Sequence, residues 1–222
     1  MGGPVTEIAY VPIKKDVDLE SGEGKSIWDV TLKTIAKQKG FEALRWGVQI
    51  ETPTVAQMAI DWESLDAHKA FAASDAYGPF LDRLAPILDG SPHIFHIKLP
   101  IPSQESGTPP FDAPVTECIS LYFDTSLSEE AYNKSFSTFV SEAGKVPDSG
   151  ATGLIGGWGV ETHKVDGEGE EKKFFGAFIG WPSVDSHMEF RKKADFPGVV
   201  GHLREGSEKI KMHHVAFKRL QA

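Results

Sequence analysis

Cysteine is nearly absent from this chain: Cys118 is the only one in 222 residues. A lone thiol excludes an intrachain disulfide framework and any cysteine-cluster metal site. Long apolar runs are missing too, and no stretch approaches the roughly 20 residues that a membrane-spanning helix needs. Excess positive charge is also lacking, with 23 Lys and Arg against 32 Asp and Glu, a formal charge of −9. Nothing then drives the chain toward a phosphate backbone or an anionic lipid surface, so neither nucleic acid nor membrane is expected as a partner. The start, Met1-Gly2-Gly3-Pro4, has neither the basic nor the apolar part of a secretory signal, and the expected location is cytoplasmic.

What is present is a repeat. Pro4-Val5-Thr6-Glu7 returns as Pro114-Val115-Thr116-Glu117, and Trp46-Gly47-Val48 as Trp158-Gly159-Val160. The stripe Trp28, Leu32, Ile35 is matched by Tyr132, Phe136, Phe139. Trp62, Ser64, Asp66, His68 and Phe71 return as Trp181, Ser183, Asp185, His187 and Phe190, and His93 and Lys98 align with His213 and Lys218. The matches are collinear and their offset drifts only at polar stretches, as in a duplicated domain. The expected organisation is one repeat over 1–102, a Pro/Ser/Gly-rich linker over 103–113, and a second repeat over 114–222.

Within each repeat the periodicity gives β-α-β-β-α-β. First strands are read at Val5–Ile13 and Val115–Phe123, and amphipathic helices at Ser26–Gln38 and Ser128–Glu142. Two further strands follow in each repeat, then a helix opened by a capping Ser64 or Ser183, then a last strand near His93–Leu99 or Met212–Arg219. This order predicts an α+β, ferredoxin-like split β-α-β sheet with both helices on one face. The other apolar face also needs cover, and the sister sheet is the simplest one, which would close an α+β barrel within one chain.

Arg45-Trp46-Gly47, Asp61-Trp62-Glu63-Ser64-Leu65, Ala76-Tyr77-Gly78-Pro79-Phe80 and the first strand Val5-Thr6-Glu7-Ile8 resemble the dimeric α+β barrel superfamily. The nearest branch is the stress-responsive A/B barrel family, which includes plant polyketide cyclases. In that family two single-repeat chains pair, so this chain resembles a fused pair: a monomer with an internal pseudo-dimer that leaves room for further homodimerisation. The resemblance implies a small apolar or aromatic, polyketide-like ligand and, if the chain is an enzyme, cofactor-independent cyclase, lyase or isomerase chemistry by proton transfer. Cofactor-free or haem-dependent oxygenation, and a non-catalytic stress or binding role, are the alternatives it leaves.

Where the family carries a first-strand histidine, this chain has Glu7 and Glu117. Both alternate with apolar residues, and a carboxylate buried there would be raised in pKa toward a neutral general base. The family's second histidine aligns with Tyr77 and Phe196, so only the first repeat keeps a proton-transferring group. Glu7, Tyr77 and Glu117 are the candidate catalytic residues. Trp46, Trp158, His93 and His213 are candidate ligand contacts, each with packing as its competing role. A dyad of Glu7 with His93 is excluded, because an antiparallel last strand would set them roughly 20 Å apart. His68 and His187 are expected to be buried histidines bonded to backbone carbonyls. No co-ligands sit near either in sequence, so no metal and no cofactor is expected. Burial of Glu7 and Glu117 decides between catalysis and a passive binding role.

Overall fold

The computed structural model describes residues 2–99, 108–165 and 167–221. Its contacts divide into two compact units, 1–98 with 216–222, and 99–215. The first unit runs β1 (Val5–Pro12), α1 (Gly22–Ala36), β2 (Phe41–Val48), β3 (Val55–Trp62), α2 (Leu65–Ala72), α3 (Tyr77–Leu84) and β4 (His93–Lys98). The second runs β5 (Val115–Phe123), α4 (Glu129–Lys145), β6 (Gly153–Gly159), β7 (His163–Val165), β8 (Glu168–Trp181), α5 (Val184–Phe190), α6 (Phe196–Arg204) and β9 (Lys209–Val215). A two-residue strand, β10 (Lys218–Arg219), ends the chain.

Every pairing is antiparallel. The first sheet has the order β10-β2-β3-β1-β4, and in the second β6, β8, β5 and β9 follow one another. Each unit is therefore the α+β, ferredoxin-like arrangement read from the periodicity, with one refinement. The second helix of each repeat is broken in two, at the Ser74-to-Ala76 and Lys192-to-Asp195 turns.

Local chemistry fixes where the helices start. The hydroxyls of Ser64, Ser128 and Ser183 accept the backbone N–H of Ala67, Ala131 and Ser186. Each thereby satisfies one of the orphan donors of a first helical turn. Gly40 closes α1 with φ +81, and a β-carbon there would stand 2.6 Å from that of Ala67. Only glycine allows β2 to start so close to α2. Gly156, in the middle of β6, admits the ring of Phe136, which a β-carbon would meet at 2.5 Å. That is the close approach expected of a strand glycine.

Odd-numbered residues of β1 (Glu7, Ala9, Val11) face α1, α2 and α3. On the opposite face Ile8, Phe95 and Ile97 are buried as well. Both faces of this strand are thus dry, which explains why its sequence is a near-continuous apolar run with one carboxylate. In the second unit β7 pairs with the start of β8, His163 opposite Lys172 and Lys164 opposite Glu171.

The end of the chain differs from the sequence reading. The last strand of the second repeat stops at Val215, and Lys218–Arg219 pair with Trp46 and Arg45 on β2. Lys218 sits 5.5 Å from the Trp46 ring centroid, and the Leu220 N–H donates to the Leu44 carbonyl at 2.9 Å. Lys218 is therefore not the counterpart of Lys98: Ala216-Phe217 interrupt the strand after Val215. Of the expected linker, 103–107 lie outside the described residues, while Phe111 is buried and packs against Phe178.

Removing residues 216–222 strips the edge of β2 and one face of Trp46. The first unit should lose about 1–3 kcal/mol, the range for a short ladder and its cross-strand pairs. Denaturant unfolding followed by tryptophan fluorescence measures this, and an unchanged midpoint would show that the tail is passive.

Candidate functional site

Antiparallel register brings the site together. Glu7 on β1 stands opposite His96 on β4, and Val5 stands opposite Trp62 at the end of β3. The Trp62 indole N–H donates to Glu7 Oε2 at 2.7 Å. The tight turn after Trp62 starts α2, and one turn into that helix His68 stacks on the indole, with centroids 5.5 Å apart and planes 23° apart. His68 Nε2 lies 3.6 Å from Glu7 Oε2, and its Nδ1 shares a hydrogen bond with His96 Nε2 at 2.6 Å. Glu7 is 4% exposed, and His68 and His96 are also buried.

Burial costs the charged carboxylate its water and pushes Glu7 up from the ordinary carboxylate range to about 7. The indole hydrogen bond and the field of His96 pull the other way and prevent a larger rise. Glu7 is the floor of a cavity of about 250 Å³, walled by Ala9, Ile35, Ile60, Phe80 and Leu84 among others. Tyr77 lines the same cavity, its phenol pushed up first by burial and then by the charge of Glu7. Two of the three candidate catalytic residues therefore share one chamber, and no lysine or arginine lines it.

The second unit repeats the polar group. Trp181 donates to Glu117 Oε2 at 3.0 Å, and His187 Nε2 lies 3.5 Å from that oxygen. His187 Nδ1 and His214 Nε2 are 2.8 Å apart, and His187 stacks on Trp181. The chamber above, however, shrinks to about 80 Å³. Ile119 replaces Ala9 and Phe139 replaces Ile35, which adds bulk beside the glutamate, and Arg191 and Arg204 join the lining, while Ala177 and Val199 in place of Met58 and Phe80 remove bulk elsewhere. Phe196 stands in the place of Tyr77 and has no proton to give.

The other candidates lie elsewhere. His93 is opposite Tyr10, and His213 opposite Cys118, each on the sheet face away from its glutamate. Trp46 packs edge-on against Trp28. Trp158 donates to Asn133 and packs among Tyr132, Phe123 and Phe175.

Three expectations need correction. His68 and His187 bond to a partner histidine rather than to a backbone carbonyl. Each glutamate does face a histidine across the sheet, His96 or His214; His93, three residues along β4, is nearer to Glu7 than the roughly 20 Å expected, and it is its place on the opposite face that excludes the dyad. Register makes His96 the counterpart of His214, two residues out of step with the match of His93 to His213. The third concerns co-ligands: Glu7, His68 and His96 each bring a donor atom within 4.8 Å of the others. Yet two nitrogens on one tetrahedral ion at about 2.1 Å stand about 3.4 Å apart, and at 2.6 Å these rings instead share a hydrogen. A haem macrocycle exceeds the cavity of about 250 Å³. Trp62, the strongest partner of Glu7, was visible in sequence only as a repeated residue.

No family model matches this chain, and no curated protein does. Solved structures do. An anthrone oxidase-like protein superposes with a TM-score of 0.68 at 13% identity, over 97% of this chain and 93% of that one. A candidate monooxygenase from Lactobacillus acidophilus gives 0.60 at 8% identity, over 99% and 96%. A chlorite dismutase candidate gives 0.54 at 11%, over 98% and 96%. The likeness is one of fold. It spans both repeats at once, consistent with a fused two-repeat arrangement.

A folded-state pKa of about 7 for Glu7, above its unfolded value near 4.5, means that the native state binds the extra proton between these pH values. This group's contribution is therefore complete below pH 4.5, falls as pH rises toward 7, and is flat beyond; the total is roughly 3 kcal/mol. Glu7→Gln, which keeps an acceptor for Trp62, should be more stable than the parent at pH 8 and equal to it at pH 4. Thermal unfolding across that range measures this, and parallel pH curves for the two proteins would refute the burial cost.

Proposed function

We propose that the first unit binds a small, neutral, enolisable aromatic molecule and removes a proton from it with Glu7, without a cofactor. The observation that carries this reading is the carboxylate itself: ionisable near neutrality, buried, and set at the floor of an apolar chamber. A base with that pKa combines a useful ionised fraction with real basicity, and exclusion of water prevents its levelling. Tyr77 supplies a hydroxyl to the same chamber and would stabilise the developing enolate oxygen by donating to it.

The carbanion so formed is electron-rich enough to reduce dioxygen directly. A ring CH2 would become C=O, with one oxygen atom retained and the other leaving as water, so the substrate supplies all four electrons. Candidate monooxygenases and an anthrone oxidase-like protein among the structures of this fold support oxygenation as the fate of the carbanion. Ring closure, the outcome suggested by the resemblance to polyketide cyclases, would use the same first step and the same two residues.

An anthrone-type substrate tests the reading by oxygen uptake and product mass. kcat/KM should rise with pH and level off above about 7. Glu7→Gln should lose about 10²–10⁴-fold, Tyr77→Phe less, and Glu117→Gln little, since its chamber is too narrow for this substrate and lacks the hydroxyl. Replacing His96 by Gln removes a field that lowers the Glu7 pKa, so the pH midpoint should move up. Equal losses for Glu7→Gln and Glu117→Gln would make the glutamates structural and refute the assignment.

A further inference from the structure

The two chambers differ at the rim as well as in volume. Helix α5 ends at Arg191 and helix α6 at Arg204, and both arginines line the mouth of the second chamber. Their counterparts in the first unit, at the offset that relates His68 to His187, are Ala72 and Ala85, and neither lines the first chamber. Duplication has therefore added two cations to one mouth only.

Among the described residues, neither arginine has a carboxylate partner. Arg191 Nη1 approaches only the Met188 sulfur, at 3.8 Å. The acids next to them in the chain are engaged elsewhere: Glu189 with Lys192 at 2.6 Å, and Glu205 with the Ser135 hydroxyl at 2.6 Å. Inward from this rim the walls formed by Phe190, Phe196, Val200, Leu203, Ile210 and Met212 are apolar, and Glu117 and His187, bonded within their own quartet, lie in the lining beyond them. In a chain with a formal charge of −9, two uncommitted guanidinium groups over an apolar hollow are a local reversal of sign.

We propose that the second chamber is a separate binding site for a small carboxylate, its short apolar body inserted among Phe196, Val200 and Met212 and its carboxylate held by Arg191 and Arg204. Charge-assisted bonds from a planar guanidinium match a carboxylate's two oxygens. The volume of about 80 Å³ admits a short alkyl chain or a single ring and excludes the larger molecule the first chamber would take. The narrow interior and the missing Tyr77 counterpart then become features of a binding site rather than of a damaged catalytic one. This assignment does not depend on the chemistry proposed for Glu7.

Titration calorimetry of the full chain with hexanoate and benzoate, against hexanamide and benzamide, tests it at pH 7. The acids should bind saturably and at least tenfold more tightly than the amides. Exchanging both arginines for glutamine, at exposed helix ends where folding is not at stake, should bring acid and amide within about twofold. Val200→Trp, which plugs the second chamber, should abolish binding of the acids, while Leu81→Trp at the first chamber should leave it unchanged. Equal affinity for acid and amide, no saturable binding, or an acid preference that survives loss of both arginines or Val200→Trp would overturn the proposal.

Discussion

A carboxylate buried between sheet and helix is the constraint around which each unit is arranged. Taking an ionised glutamate out of water is costly, and the cost is tolerable only where donors replace the lost hydration. At Glu7 the donor with the best geometry is the Trp62 indole, which can be supplied only from the strand next door, one diagonal step away in the register. That requirement ties β1 to the end of β3. The stacking of His68 on the same indole then ties β3 to the start of α2, and the His68–His96 bond ties α2 to β4. Three connections that could drift independently are locked by one polar chain.

The second unit shows which parts of this arrangement are separable. It keeps the glutamate, the indole and both histidines within a few tenths of an ångström, yet fills the chamber above them. The quartet therefore does not need an open cavity in order to form, and its persistence alone says nothing about chemistry. What distinguishes the first unit is small side chains at Ala9 and Ile35 and a hydroxyl at Tyr77. On the proposed reading the chemistry depends on that void and that hydroxyl, while the quartet holds the carboxylate in place.

Much of the fold was legible because the physics is local. Apolar alternation placed β1 and β5, serine caps placed the starts of α2, α4 and α5, and the repeat gave two units where length alone left the number open. The candidate site was only half legible. Glu7 and Tyr77 stand out as polar residues in apolar surroundings. The tie to His96 depends on a cross-strand register between residues 89 positions apart, and no local pattern encodes it. A misalignment of two residues in β9 keeps side chains on the same face of a strand, so alternation could not reveal the slip that matched His93 to His213. Only pairing with the glutamates distinguishes the correct match. The broken second helix escaped notice for a similar reason: the turns at Ser74–Ala76 and Lys192–Asp195 carry no glycine or internal proline to announce them.

Duplication within one chain relaxes a restriction that a symmetric pair of identical subunits cannot escape, because there each substitution appears in both sites. In this chain the offset positions have moved in opposite directions. Alanines 72 and 85 correspond to Arg191 and Arg204, Tyr77 to Phe196, and Ala9 to Ile119. The first chamber has become neutral, roomy and proton-active at its floor, whereas the second has become tight and cationic at its rim. Each set of changes would spoil the other chamber: an arginine at the first mouth would lower the pKa of Glu7 toward that of an ordinary carboxylate and weaken it as a base. The asymmetry is therefore coherent: the space and the hydroxyl of the first chamber are absent from the second, and the positive rim of the second is absent from the first.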